Sequence, residues 1–242
     1  MDLIPRTLHH LWLSDDPKPA LVQRCLASWR QVMPGFSIRC WSMADFELAS
    51  LPLFVRQAIA VQQWAFASDV LRLWVLQQHG GFYFDADVLA VRSLEPLLGY
   101  SCVTAVEFNP QAFAEGNGAS LLDDQGHRRL NHCPGPPPGI GIQAAVLGAV
   151  PRHPFLSACL AYYDNRPFIE ASGRWHRDPI APGIYGMAAE THGFRWINEL
   201  QKLRDGVVVL PAAMMASTKA QYGPDTFAFH CCAGSWRTPG NA

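Results

Sequence analysis

One segment constrains the fold more than any other, because it joins a long helix to a short strand and a pair of acids. From Gln62 to His79 the apolar residues recur at helical spacing. Gly80-Gly81 then stops the helix, and Phe82–Phe84 is an apolar aromatic run of strand type. Asp85 and Asp87 follow where that strand ends. The order predicts an α/β unit with a polar feature at one edge of its sheet.

The rest of the chain also alternates between strand and helix patterns, which predicts an α/β fold whose sheet is covered on both sides. Residues 109–139 are polar and rich in proline and glycine near their end, and we expect a lid or binding loop there. The patterns predict strands at 7–13, 36–41, 88–91, 101–108, 207–210 and 226–230, with 88–91 continuing the main sheet. They predict helices at 20–32, 140–150, 153–163 and 183–192, and short helices between 43 and 59.

Composition excludes several classes of protein. The chain has 242 residues, 49% of them hydrophobic, and a formal net charge of −1, so no global basic field attracts nucleic acid. No run approaches the roughly 18 apolar residues of a membrane span, and residues 1–6 lack a secretory pattern. The seven cysteines form no C-x-x-C pair, which indicates reduced thiols rather than a zinc ribbon. We expect a cytoplasmic protein that visits the inner membrane face at most.

The acid pair predicts a metal site. Asp85 and Asp87 fall on one face of an extended segment, since side chains repeat every two residues there. Carboxylates at the end of an apolar strand need a cation, and Mg²⁺ or Mn²⁺ with a phosphorylated substrate provides one. The pattern therefore favours chemistry on a sugar nucleotide. The alternative is a surface turn whose two acids are only solvated.

Further polar and aromatic residues are candidates for the same site. Asp69 and Arg72 share a helix face in apolar surroundings, which suits binding of sugar hydroxyls; the alternative is a surface ion pair. Trp12 ends the first strand and is placed to stack on a base, unless it is a core residue. Glu107 and Gln143 are weaker candidates for sugar or acceptor contacts.

The last strand delivers a possible third metal ligand. His230 is followed by a small turn that presents Ser235 and Trp236, although a single histidine after a strand is often structural. A cysteine hydrolase that pairs His230 with Cys231 or Cys232 is rejected, because sequence neighbours rarely form a dyad.

These motifs together resemble one family of enzymes. The segments that carry the resemblance are 4–12, 25–34, 65–72, 80–88 and 230–236, and the similarity is loose between residues 100 and 225. They are similar to the Asp-x-Asp sugar-binding glycosyltransferases of family 32, which are of the initiating α-1,6-mannosyltransferase type. That family includes capsular polysaccharide transferases and is related to the clostridial glucosylating toxins.

The resemblance implies a GT-A nucleotide-diphospho-sugar transferase fold, with a single mixed sheet covered by helices. It implies one domain over 1–242, in which 1–108 bind the nucleotide sugar and 109–242 hold the acceptor and a closing segment. It implies a retaining, metal-dependent transfer from a nucleotide sugar, with UDP favoured, to a glycan hydroxyl in surface polysaccharide synthesis. A non-catalytic nucleotide-sugar or carbohydrate-binding protein and a metal-dependent phosphohydrolase stay open as alternatives.

The resemblance also assigns roles to the candidate residues. Trp12 would stack on the base, and Tyr83 would lie near the ribose or base. Asp69 and Arg72 would hold the donor sugar and act with Asp87 in catalysis. Mn²⁺ or Mg²⁺ would be bound by Asp85, Asp87 and His230, and Asp85 would also contact the ribose. Ser235 and Trp236 would close on the diphosphate.

Overall fold

The computed structural model describes residues 3–233, and its centre is a mixed sheet of eight strands. The strand order along the main path is β2-β1-β3-β7-β5-β9-β8, and β6 pairs with β5 beside it. The strands are β1 (Thr7–Leu11), β2 (Ser37–Trp41), β3 (Gly81–Phe84), β5 (Cys102–Phe108), β6 (Ile140–Ile142), β7 (Val146–Ala149), β8 (Gln201–Lys202) and β9 (Val207–Leu210), with β4 (Val88–Ala90) lying elsewhere. The mixed sheet agrees with the prediction.

The direction of the strands determines where polar side chains can meet. β1 runs parallel to β2 and β3, and β5 runs parallel to β9. β7 lies antiparallel between β3 and β5, so five strands of the sheet, β1, β2, β3, β5 and β9, point the same way. Their carboxyl ends, together with the start of β7, therefore share one edge of the sheet. Ligands of α/β proteins collect at such an edge.

Helices cover both faces, as the sequence predicts. Buried residues of α1 (Ala20–Val32) pack on one face, and the opposite face is covered by α2 (Leu53–Ala60), α3 (Trp64–His79), α5 (Pro154–Ala161) and α6 (Ala181–Glu190). The end of α3 is set by Gly80, which has φ of +61° and donates its N–H to the Leu76 carbonyl. No helix among the described residues is both long and apolar enough to cross a membrane.

A second, three-stranded sheet accompanies the main one. It has the order β10-β11-β4, with β10 (Met215–Ala216) parallel and β4 antiparallel to β11 (Ala228–His230). The prediction that 88–91 continue the main sheet is therefore wrong. The strand leaves the main sheet because α1 binds it: Trp29 Nε1 donates to the Val88 carbonyl at 2.6 Å, and Ser28 Oγ accepts from Ala90 N–H at 2.9 Å.

The largest error of prediction lies at residues 140–150, which form β6 and β7 instead of a helix. Both strands are buried throughout, and a short run that is apolar on every side has no periodicity to separate strand from helix. Gly148 pairs with Phe82 of β3, and the face of its backbone is covered by that aromatic ring. A strand without a side chain at this position can pass directly over the ring.

The polar region 109–139 is more ordered than predicted. It contains α4 (Pro110–Glu115) and a short 3-10 helix at Gly118–Leu121. Arg128 fixes the remainder, because its guanidinium makes two hydrogen bonds with the Glu190 carboxylate of α6. The same guanidinium donates to three carbonyls of the following turn, at 133, 134 and 135. The segment is thus held against α6 by a half-buried ion pair.

Candidate functional site

The acid pair lies at the shared carboxyl edge, in a tight turn rather than an extended segment. Val88 N–H donates to the Asp85 carbonyl at 3.0 Å, which closes a turn over residues 85–88. Asp85 N–H donates to the Ala145 carbonyl at 2.9 Å, so the turn is also tied to the start of β7. The two carboxylates converge because the chain turns, not because side chains alternate along a strand. The predicted proximity is correct, but the reason given for it is wrong.

Asp69, Arg72, Tyr83 and Asp85 form one group, here called the buried cluster. Arg72 is 3% exposed, and its Nη2 lies 3.1 Å from an Asp69 carboxylate oxygen and 3.0 Å from one of Asp85. Tyr83 is 1% exposed and donates its hydroxyl to Asp85 at 2.8 Å. Because the Tyr83 hydroxyl donates to Asp85 within the protein, Tyr83 holds the Asp85 carboxylate in its orientation.

Burial and charge act in opposite directions within the buried cluster. Burial would lower the pKa of Arg72, but the charges of Asp85, Tyr83 and Asp69 raise it well above its usual value. Burial raises the pKa of Asp69 to about 7, and the nearby guanidinium opposes that shift. A permanently charged arginine between two acids keeps the cluster paired without a ligand. The α3 helix supplies Asp69 and Arg72 one turn apart, as predicted.

A second group, here called the terminal cluster, consists of Asp87, His230 at the end of β11, and the backbone of Cys231 and Ala233. His230 lies opposite Val88 in the β4–β11 register, which brings its Nε2 to 3.4 Å from an Asp87 carboxylate oxygen. Ala233 N–H donates to the other carboxylate oxygen at 2.8 Å. Cys231 N–H donates to the Asp87 carbonyl at 3.0 Å. Strand pairing and two backbone N–H groups therefore place His230 beside the acid pair.

The side chains of Asp85, Asp87 and His230 are placed to bind one divalent cation. One ligand atom each from Asp85, Asp87 and His230 lies within 4.8 Å of the others, as ligands of one ion must. Two carboxylates and an imidazole match the preferences of Mn²⁺ and related ions. Without a cation, burial would lower the pKa of His230, but hydrogen bonds to Asp87 and Cys232 and the charges of both acids raise it to about 11. In that state the protonated imidazole of His230 supplies the positive charge that a bound cation would supply.

Cys232 is closer to His230 than the sequence argument allowed. Its Sγ lies 3.6 Å from His230 Nδ1, whereas Cys231 packs against the core beside α1. Cys232 lies two residues after His230 and has φ of +49°, in the left-handed region, and its thiol faces the imidazole. The structure therefore contains a His–Cys contact, which the argument from sequence neighbours did not predict. His230 Nδ1 thus has a partner on the side away from Asp87.

Trp12 lies outside both clusters. It follows β1 at the same sheet edge and is half-buried. Its Nε1 donates to the Asp16 carbonyl at 2.8 Å, and Lys18 Nζ lies 5.2 Å from the ring centroid. No hydrogen bond, ion pair or ring contact among the described residues joins its side chain to the acid pair. Ser235 and Trp236, the predicted closing residues, lie outside the described residues.

Two supporting contacts were not predicted. Tyr185 of α6 donates its hydroxyl to the Asp69 carbonyl at 2.7 Å, which ties α3 to α6. The backbone N–H of Ala233 binds Asp87. Neither has a signal in the sequence, because a buried tyrosine in a helix and an alanine after a strand are both ordinary core or turn residues.

Comparison with known proteins finds similarity to glycosyltransferases. Residues 19–104 match a family described as "Glycosyltransferase sugar-binding region containing DXD motif". Two curated relatives come from Schizosaccharomyces pombe (strain 972 / ATCC 24843). Inositol phosphoceramide mannosyltransferase 3 is 27% identical over 126 residues, 47% of this chain and 34% of the relative. Inositol phosphoceramide mannosyltransferase 1 is 22% identical over 98% of this chain and 63% of the relative. The chain thus spans less than two thirds of either relative.

Solved structures agree on the fold. Mouse Xyloside xylosyltransferase 1 in its apo form has a TM-score of 0.51 at 11% identity, covering 94% of this chain and 98% of that one. PaToxG Glycosyltransferase has a TM-score of 0.50 at 14% identity, covering 78% and 70%. These likenesses are ones of architecture: the chain has the GT-A fold.

Proposed function

Because the chain carries, over residues 19–104, the sugar-binding region of the DXD-containing glycosyltransferases, we propose that it transfers a sugar from a nucleoside-diphosphate sugar to a hydroxyl of a glycan acceptor. One observation carries the proposal: Asp85, Asp87 and His230 present convergent ligand atoms directly beside the buried Asp69–Arg72 pair. A cation site next to a hydroxyl-binding ion pair is what a diphosphate joined to a sugar requires.

The residues divide the work by their chemistry. Asp69 accepts hydrogen bonds from the hydroxyls of the donor sugar, and Arg72 holds Asp69 and Asp85 at fixed positions while adding positive charge. Asp85, Asp87 and His230 hold Mn²⁺ or Mg²⁺. A divalent cation at this position supplies positive charge where the departing diphosphate gains negative charge. Trp12 stacks on the base, and Ser235 and Trp236 close the site over the diphosphate.

Finer features belong to the same proposal. The transfer retains the anomeric configuration, UDP is the preferred nucleotide, and the product is a surface polysaccharide made at the inner membrane face. A single domain divides into a donor half at 1–108 and an acceptor half at 109–242. The curated relatives are named as mannosyltransferases of inositol phosphoceramide. A mannose donor and an inositol-containing acceptor therefore belong in the test beside UDP-sugars.

Calorimetry with Asp87→Asn tests the proposal. The wild type should bind UDP-glucose or GDP-mannose in a Mn²⁺-dependent manner. The variant keeps an oxygen for Ala233 N–H but loses a direct ligand, so the affinity should fall by more than the about 10–100-fold typical of losing an outer-shell partner. Asp225→Asn, at an 84% exposed side chain, is the matched control and should bind as the wild type does. Equal binding by Asp87→Asn, or wild-type binding that EDTA does not change, would contradict the proposal.

The products released without an acceptor separate the alternatives. A glycosyltransferase slowly gives the nucleoside diphosphate and the sugar, because the anomeric C–O bond breaks. A phosphohydrolase gives the nucleoside monophosphate and a sugar phosphate, because a P–O bond breaks instead. A binding protein releases neither. Chromatography of the nucleotides after incubation with Mn²⁺ distinguishes the three.

A further inference from the structure

Two free cysteines from opposite ends of the chain meet between α1 and the end of β11. Cys25 is fully buried on α1, whereas Cys231 directly follows β11 and is half-buried. Cys231 packs against the core that contains Cys25, and the two thiols hydrogen-bond to each other. Cysteines whose side chains point apart cannot be bridged without movement of the backbone. These two side chains already point toward each other, which is the first requirement of a disulfide.

The contact between the thiols is held in place by hydrogen bonds on both sides. Ser28 and Trp29 of α1 each hydrogen-bond through their side chains to the backbone of β4. Cys25 lies one helical turn before them and therefore on the same face of α1. Cys231 donates its backbone N–H to the carbonyl of Asp87, the residue just before β4. The thiol pair thus continues a row of contacts that joins α1 to the β4–β11 pair.

The position of Cys231 connects this thiol pair to the terminal cluster. Cys231 follows His230 directly, and its backbone N–H is one of the two that bind Asp87. A covalent bond from Cys231 to α1 would therefore keep the end of β11, and with it His230, beside Asp87.

We infer that Cys25 and Cys231 form a reversible redox site, whose disulfide ties the end of β11 to α1 and strengthens metal binding at the terminal cluster. This regulation rests on the proposed function, because the metal site belongs to that proposal. The disulfide itself does not depend on it.

The oxidant is a low-molecular-weight disulfide such as oxidised glutathione. The sulfur of the half-buried Cys231 attacks it, which forms a mixed disulfide and releases one glutathione thiol. The sulfur of Cys25 then attacks the Cys231 sulfur and releases the second glutathione thiol. The two cysteine thiols together lose two electrons and two protons, and oxidised glutathione gains them as two thiols. Burial raises the pKa of both cysteines, that of Cys25 to about 12, so the exchange is slow at neutral pH.

Peptide mass spectrometry tests whether the disulfide forms. The reduced full chain is incubated for hours with oxidised glutathione, alkylated, and digested with trypsin without reduction. Trypsin releases residues 25–30, which contain Cys25 alone, and residues 220–237, which contain Cys231 and Cys232. The two peptides should be linked in the wild type and in Cys232→Ser. The link should be absent from Cys25→Ser and Cys231→Ser, and dithiothreitol should remove it from the wild type.

Two measurements on the oxidised and reduced protein test what the disulfide does. Without metal, the oxidised wild type should melt several degrees higher, because a cross-link between residues so far apart in the chain restricts the unfolded state. In calorimetry with Mn²⁺ alone, the oxidised form should bind several-fold more tightly, because less of the terminal cluster has to be ordered on binding. Cys25→Ser should abolish both differences, and Cys25→Ala serves if serine prevents folding. Cys40→Ser, at an exposed cysteine of β2, is the matched control and should keep both.

Other results overturn the inference. If oxidised glutathione leaves only mixed disulfides at Cys231 or Cys232, with no link to Cys25, the pair is not a redox site. If the link forms but Mn²⁺ affinity stays the same or falls, the disulfide does not strengthen the metal site. A wild type that binds no Mn²⁺ in either redox state contradicts the proposed function instead, and the linked peptides and the melting shift then decide whether the redox site exists.

Discussion

The two clusters around Asp85 are built in different ways. The buried cluster is local: Asp69, Arg72 and Tyr83 come from one helix and the strand that follows it. The terminal cluster is long-range, because Asp87 meets His230 through the pairing of β4 with β11 and through two backbone hydrogen bonds from Cys231 and Ala233. The first depends on packing of neighbouring elements, and the second depends on the chain's last described strand returning to the site.

The clusters also differ in what completes them. In the buried cluster every charge has a protein partner, so the group is organised before any ligand binds. In the terminal cluster the partner of Asp87 is a protonated His230. His230 must lose this proton before it can bind a divalent cation. Under the proposed function, the buried cluster is a fixed half of the site, which orients the sugar, and the terminal cluster is an exchangeable half, which responds to the metal.

Arg72→Met should have the largest effect, because it breaks the fixed half. The variant leaves Asp69 and Asp85 close together without their cation. Removing one partner of a buried ion pair is destabilising by about 3–5 kcal/mol. The free energy of unfolding from urea titration should fall by that order, and sugar-nucleotide binding should be lost. Arg56→Met, at an exposed arginine of α2, is the control and should change the free energy of unfolding little.

A small change in stability would mean that water reaches the pair and screens it. Arg72→Lys separates charge from geometry, since an ammonium keeps the charge but cannot reach two carboxylates with a planar fork. It should recover much of the stability and little of the sugar-nucleotide affinity. Equal recovery of both would show that only the charge matters.

Most of the fixed half could be predicted from the sequence. The α3 pattern, its glycine stop and the apolar β3 are local signals, and Asp69 and Arg72 follow from helical spacing. β9 at Val207–Leu210 and α1 at Ala20–Val32 were predicted to the residue. In each case the pattern is set by neighbours in sequence, where periodicity has enough residues to be read.

The rest depends on contacts that no local pattern encodes. β6 and β7 are too short and too uniformly apolar to separate from a helix. The turn at 85–88 and the departure of β4 from the main sheet depend on α1 and β11. The Cys232–His230 contact lies beyond the end of β11, where Cys232 has a positive φ that no local pattern predicts. These are tertiary effects, and they determine the exchangeable half of the site.

His230→Asn tests the exchangeable half and should have an intermediate effect. Removing one of three ligands should weaken Mn²⁺ binding by about 10–100-fold or more, while the buried cluster keeps the protein folded. His127→Asn is the matched control, because His127 forms an exposed pair with Asp123 at 3.3 Å. Calorimetry with Mn²⁺ alone measures both. Unchanged Mn²⁺ affinity in His230→Asn would remove this residue from the metal site.

The same residue predicts opposite pH trends with and without the metal. The pKa of His230 is raised from 6.5 to about 11 in the folded protein. Its contribution to stability is therefore complete below about pH 6.5 and is lost as the pH rises toward about 11. Mn²⁺ affinity should rise over that window, because the proton must leave before the metal binds. His230→Asn should flatten both trends in thermal melts and in Mn²⁺ titrations; a wild type that shows neither trend would contradict the exchange.

Trp12→Ala should have the smallest effect, because Trp12 lies outside both clusters. Stacking of an aromatic ring on a base contributes about 1–3 kcal/mol, so the affinity for UDP or GDP should fall about tenfold or more. The Mn²⁺ affinity without nucleotide should stay the same, since neither cluster is touched. Trp12→Phe keeps a stacking ring but loses the Nε1 bond to the Asp16 carbonyl, and should retain most of the nucleotide affinity. If Trp12→Phe falls as far as Trp12→Ala, the indole acts by fixing the 12–18 turn; if neither falls, the base binds elsewhere on the carboxyl edge.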